Sequence, residues 1–242
     1  VRVESELNGV RVPSALPERV RLPLFVVAAL GAVTVAVLGV LYAGDTVGTT
    51  FDVAVRGSLL NLGAPWRQLA LVIDYTAEPV GAVVMFTTLV LVFLKLGHRR
   101  AALLVLAGPG MTVVVTTLLK PLVGRDINQG FLAFPSGHTA TATGVTLIVM
   151  LVVVERTGRG GFWLVASVTT AAALAMALAQ VLLNAHYPTD TIGGYATALA
   201  VIPPVGYAID RLTASRSGST RTGGPTRSPV PVPPPPDADR SA

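Results

Sequence analysis

Phe134-Pro135-Ser136-Gly137-His138-Thr139 stands between two long apolar runs, Ala101 to Leu119 before it and Thr139 to Val154 after it. About 20 consecutive apolar residues carry a helix across a bilayer, and both runs approach that length. The short polar stretch is therefore a junction at a membrane surface. A second junction of the same kind, His186-Tyr187-Pro188-Thr189-Asp190, holds another of the chain's three histidines. The polar residues around these two places, Lys120, Arg125, Ser136, His138, His186 and Asp190, are most of what the chain has for chemistry.

Four further apolar blocks extend the pattern: Leu22 to Ala43, Val80 to Leu96, Phe162 to Leu183 and Thr191 to Ile209. Hydrophobic residues make up 52% of the chain and charged ones 13%, against about 25% charged in soluble domains. The expected fold is all-α, a polytopic six-transmembrane-helix bundle. A cleaved secretory signal has an apolar region of only about 7–15 residues, so the first block reads as a retained helix. Within the mixed segment Gly44 to Glu78, residues near Val53 to Ile73 read as an amphipathic helix along the interface. Residues 1–20 read as a polar tail, 21–211 as the membrane domain, and 212–242 as a disordered tail. In that last segment Ser, Thr, Arg and the run Pro233 to Pro236 cannot bury enough apolar surface to fold.

Basic residues cluster in the N-terminal tail, the 95–100 turn, the 155–159 turn and the C-terminal tail. With six spans these four segments share one face. The positive-inside rule makes that face, and both termini, cytoplasmic. The segments 44–78, 120–137 and 184–190 then meet on the outer face, in a multi-pass protein of the plasma membrane. The net charge of +5 is read as orientation and attraction to anionic lipid, not as nucleic-acid binding. With no cysteine, disulfides and thiolate metal sites are excluded. Arginine outnumbers lysine sixteen to two, as in GC-rich bacterial sequences. His98, beside Arg99 and Arg100, is expected in solvent.

The outer face suits an anion rich in oxygen. Lys120 and Arg125 supply positive charge, and a guanidinium grips phosphate in a bidentate fork. Ser136 offers a hydroxyl, Gly137 allows close approach, and the helix starting near His138 presents N–H groups to an anion. Beside a phosphate, one imidazole, His186, can attack phosphorus while the other, His138, protonates the departing oxygen. Asp190, four residues after His186, can orient that ring. Gln180 and Asn184 read as polar contacts between spans, and Asp74 and Glu78 as interfacial carboxylates. Phe131 and Phe134 read as dipping into the headgroup zone, and Gly193 and Gly194 as allowing close helix packing.

These residues resemble the type 2 phosphatidic acid phosphatase (PAP2) superfamily of membrane lipid phosphatases. Pro135-Ser136-Gly137-His138 is similar to its second motif, His186 to Gly194 to the end of its third, and Lys120 with Gly124-Arg125 to its first. The resemblance spans roughly residues 80–210. It implies a six-helix enzyme that forms a phosphohistidine, needs no metal or cofactor, and dephosphorylates lipid phosphates or diphosphates. His186, His138 and Asp190 would be catalytic, with Lys120, Arg125, Ser136, Gly137 and Gln180 on the phosphate. The chain departs from the pattern in two places. The family's first motif would put arginine and proline at 127 and 128, where Ile127 and Asn128 stand; Arg125 is the expected substitute. Its third motif would put serine and arginine at 179 and 180, where Ala179 and Gln180 stand. A metal-dependent hydrolase using His138, His186 and Asp190, and a non-catalytic protein that binds or moves lipid phosphates, are the alternatives.

Overall fold

The computed structural model describes residues 13–154 and 160–219. The turn expected at 155–159, the first twelve residues and the proline run lie outside them. Among the described residues, eight helices carry the fold: α1 (Glu18–Leu41), α2 (Thr50–Leu60), α3 (Ala64–Tyr75), α4 (Pro79–Lys95), α5 (Arg99–Val123), α6 (Gly137–Val154), α7 (Gly160–Leu182) and α8 (Pro188–Ser219). Two short strands, β1 (Asp126–Ile127) and β2 (Phe131–Leu132), pair antiparallel between α5 and α6.

Four helices, α1, α5, α6 and α8, are long and apolar enough to cross a membrane. A fifth crossing is available if α3 and α4, bent by 56° at Thr76 to Glu78, act together. In α7 the apolar stretch is the shorter Ala166–Leu182. This is a multi-pass membrane protein. Large apolar side chains on its outer faces, such as Val40 at 79% exposed, turn toward a solvent that is hydrocarbon. Between such helices there is no hydrophobic drive, so close packing and polar contacts hold the bundle.

The single interfacial helix expected near 53–73 is two helices. A capping box between Thr49 and Asp52 opens α2, in which the Thr49 hydroxyl accepts the Asp52 N–H and the Asp52 carboxylate accepts the Thr49 N–H. Gly63, at φ 82°, with Pro65 behind it, breaks the run and starts α3. The helix that begins at Pro188 continues to Ser219, past Arg211, where a tail was expected to begin.

The two ends of the bundle differ. One apolar core of Leu16, Leu104, Val105, Ile148, Leu151 and Ile202 fills the end where α1 starts and α6 finishes. There Asp210 accepts the main-chain N–H groups of Ala15 and Leu16 at 2.8 and 3.0 Å. It also pairs with Arg100 at 3.5 Å and Arg21 at 3.8 Å. Arg19 donates to the carbonyl of Val154. The last residues before α1 are thus docked against α8. His98 is 5% exposed, which corrects its expected place in solvent; its position at the start of α5 turns it inward while Arg99 stays exposed. The polar junctions gather at the opposite end.

Candidate active site

Arg125 organises that end. Its side chain is fully buried, and its donors reach Asp45, Asp52, Thr189 and Asp190. The closest ion pairs are Nη1 to Asp190 Oδ1 at 2.6 Å and Nη2 to Asp52 Oδ2 at 2.7 Å. The rings of Tyr42 and Tyr187 lie 4.2 and 4.6 Å from the guanidinium carbon, a cation–π arrangement. Arg125, expected from sequence on the substrate phosphate, thus directs its donors to three carboxylates and Thr189. Asp52 shows the other side of the same balance. Burial pushes its carboxyl up, but the N–H groups of Thr189 and Thr49 and the Arg125 guanidinium outweigh that and hold it below the usual range.

Asp190 is the link to His186. One oxygen binds Arg125; the other accepts the Tyr187 N–H at 2.8 Å and lies 3.7 Å from His186 Nδ1. The carboxylate therefore faces the imidazole from one helical turn away, at a separation beyond hydrogen bonding. His186 is buried, and its Nδ1 has no hydrogen-bond partner among the described residues. Burial pushes its pKa down, outweighing Asp190, and the charges of Lys120 and His138 act in the same direction. Burial thus favours the neutral form of the His186 ring.

The loop that presents His138 sits directly on the helix that follows His186. Ser136 N–H donates to the Asp190 carbonyl at 3.0 Å. A Cβ on Gly194 would come within 2.3 Å of the Ser136 carbonyl oxygen, and one on Gly193 within 2.4 Å of the Phe134 ring. The two glycines thus seat a loop on α8 rather than allowing two helices to pack. Phe134 is fully buried against this seat, which corrects its expected place among headgroups, whereas Phe131 is exposed. Ser136 is buried as well. Its hydroxyl meets Thr139 Oγ1 at 3.1 Å and caps α6, so the side chain expected on the phosphate serves the helix start.

The remaining expected residues divide. Gly137, at the first turn of α6, is half-buried, and a Cβ there would meet only Thr116 Oγ1, at an ordinary contact distance of 3.6 Å. Lys120 is half-buried in the last turn of α5. Gln180 donates to Asp74 rather than standing free for a ligand. Asp74 and Glu78, read from sequence as interfacial, each lie 3.5 Å from His138 Nε2. The ligand atoms of Asp74, Glu78 and His138 all lie within 4.8 Å of one another, a donor set able to hold a divalent cation. It differs from the His138, His186 and Asp190 set considered from sequence.

Sequence reasoning missed Asp45, Asp52 and Thr189 as partners of Arg125. It also missed Arg56, which reaches over from α2 to Asn128 and Asn184. The capping box at Thr49 was the one local signal that α2 begins there.

Residues 120–213 match the family model of the PAP2 superfamily. No curated protein matches the sequence. Among solved structures, the chain is similar to a transmembrane PAP2-type phosphatidylglycerolphosphate phosphatase from Bacillus subtilis, with a TM-score of 0.57 and 15% identity. The match covers 81% of this chain and 98% of that one. At that identity the likeness is one of fold. The matched segment contains Lys120, both histidine junctions and α8 as far as Thr213, so it takes in much of the polar end of the bundle.

Proposed function

We propose that the chain is a lipid phosphate or diphosphate phosphatase working at the extracytoplasmic face of the plasma membrane. In this reading six crossings, with α3 and α4 sharing one and α7 supplying another, leave both termini cytoplasmic. The observation that carries the proposal is that a buried His186, with Asp190 3.7 Å behind it, sits at the helix start to which the loop leading into His138 is hydrogen-bonded.

The Nδ1 of His186 faces Asp190, which leaves Nε2 to attack phosphorus. As the P–N bond forms, the bond from phosphorus to the lipid oxygen breaks, and His138 gives that oxygen its proton. Water then attacks the phosphohistidine, His138 takes a proton from it, and phosphate leaves as the P–N bond breaks. Lys120 and the first turn of α6 hold the phosphoryl oxygens. Asp74 and Glu78 orient the His138 ring from the far side.

A lateral apolar cavity of about 560 Å³ between α1, α5 and α8 is lined by Val40, Leu119, Leu122 and Val201, among others. Leu119 and Leu122 line the cavity in the same last turns of α5 that carry Lys120, so a lipid tail lodged there would bring its phosphate to the level of that lysine. Polyprenyl diphosphate, phosphatidylglycerophosphate and phosphatidate are the substrates to assay. Phosphate release from one of them should survive EDTA and fall to background in His186→Ala; a fully active His186→Ala protein would remove the mechanism.

A second reading, a protein that binds or moves lipid phosphates without turnover, is favoured by one feature: Arg125 is taken up by carboxylates, and Gln180 by Asp74. Tight binding of lipid phosphate with no phosphate release would establish it.

A further inference from the structure

Arg56 differs from Arg125 in having no acidic partner among the described residues. Its Nε donates to Asn184 Oδ1 at 2.6 Å and its Nη2 to Asn128 Oδ1 at 2.8 Å, both neutral amides. Nη1 makes no hydrogen bond among the described residues. The guanidinium carbon lies 5.4 Å from the Tyr187 ring centre, and the side chain is half-buried. It is therefore a fixed cation with no carboxylate partner among the described residues.

Its holders are themselves built into the site. Asn184 stands two residues before His186, and Asn128 directly after the buried Ile127. Asn128 Nδ2 donates to the Asn184 carbonyl at 2.6 Å, tying the β1 loop to the end of α7. Both asparagines adopt left-handed backbone, φ 54° and 62°, a conformation that asparagine tolerates better than most residues. One turn earlier on α2, Asp52 holds Thr189 N–H at 3.0 Å, so the face of α2 that carries Arg56 is clamped to the segment containing His186.

We propose that Arg56 is a phosphate-binding residue of this site, supplying through Nη1 and Nη2 the guanidinium that neither Arg125 nor the residue at 180 provides. The inference rests on the phosphatase reading for its kinetics, but not for binding. Breaking an ion-assisted contact to phosphate costs about 10- to 100-fold.

The test uses the full-length protein in detergent. Orthovanadate, a phosphate mimic, should raise the thermal midpoint of the wild type. The shift should vanish in Arg56→Gln, which keeps an amide but no charge, and return in part in Arg56→Lys. With dioctanoyl phosphatidate and farnesyl diphosphate as probes, Arg56→Gln should lower kcat/KM about 10- to 100-fold, mostly through KM. Gln180→Arg added to Arg56→Gln should regain part of the loss. A folded Arg56→Gln protein with the wild-type vanadate shift, or a wild type with no shift, overturns the proposal. So does a variant that only melts earlier with its KM unchanged. A wild type that hydrolyses neither lipid yet shows an Arg56-dependent vanadate shift would sink the phosphatase reading and leave Arg56 as a binding residue.

Discussion

Both ends of the bundle bury a charge, in opposite senses. At one end the anion Asp210 is enclosed by Arg21, Arg100 and two main-chain N–H groups. At the other the cation Arg125 is enclosed by Asp45, Asp52 and Asp190. The first cluster closes on itself: its contacts lash the starts of α1 and α5 to α8. The second extends further, because the other oxygen of Asp190 accepts the Tyr187 N–H and faces His186 at 3.7 Å. The first ion cluster is architecture alone; the second also positions the segment that carries a histidine.

The comparison breaks most sharply at Arg125. Arg125→Leu strands three carboxylates, two of them fully buried. It should cost about 3–5 kcal/mol of stability and abolish activity even in the fraction that folds, as thermal unfolding and assays on the folded pool would show. Arg125→Lys should not restore activity, because one ammonium cannot span Asp52 and Asp190 as the planar fork does. Asp210→Asn should cost less, about 1–3 kcal/mol, and leave kcat/KM of the folded protein within about twofold, since additivity holds for distant sites. Equal kinetic damage from the two variants would erase the distinction between the ends.

The smallest expected effect is in pH. Burial lowers the pKa of His186, so the neutral ring persists into more acid solution than an ordinary imidazole would. If neutral His186 is the nucleophile, the acid limb of kcat/KM should lie below pH ~6.5, the ordinary imidazole value. A limb above that value would mean that Asp190 outweighs burial.

The apolar blocks were legible because a bilayer imposes length and composition locally; the segments 44–78, 120–137 and 184–190, grouped from sequence by counting spans, are joined in the structure by the contacts of Arg125 with Asp52 and Asp190. Arg125 was not legible. Its partners Asp45 and Asp52 lie 80 and 73 residues away, and nothing near it in sequence separates a cation that binds a ligand from one already neutralised. Ser136 shows the same limit at short range, since a cap and a ligand contact demand the same hydroxyl. His98 was misplaced because its charged neighbours say nothing about which way one ring turns at a helix start. Gln180 was seen as polar, but its partner Asp74 comes from α3, whose separation from α2 depends on Gly63.

The hydrogen bond from Ser136 to the Asp190 carbonyl, with Gly193 and Gly194 beneath the loop, has a mechanical consequence. The segments carrying the two imidazoles are riveted main chain to main chain, so they travel together when neighbouring helices tilt. A thicker or thinner lipid annulus can lean on α1 or α4 without resetting the opening between the jaws. The spacing of the two histidine segments is thus held by a main-chain bond rather than by long side chains.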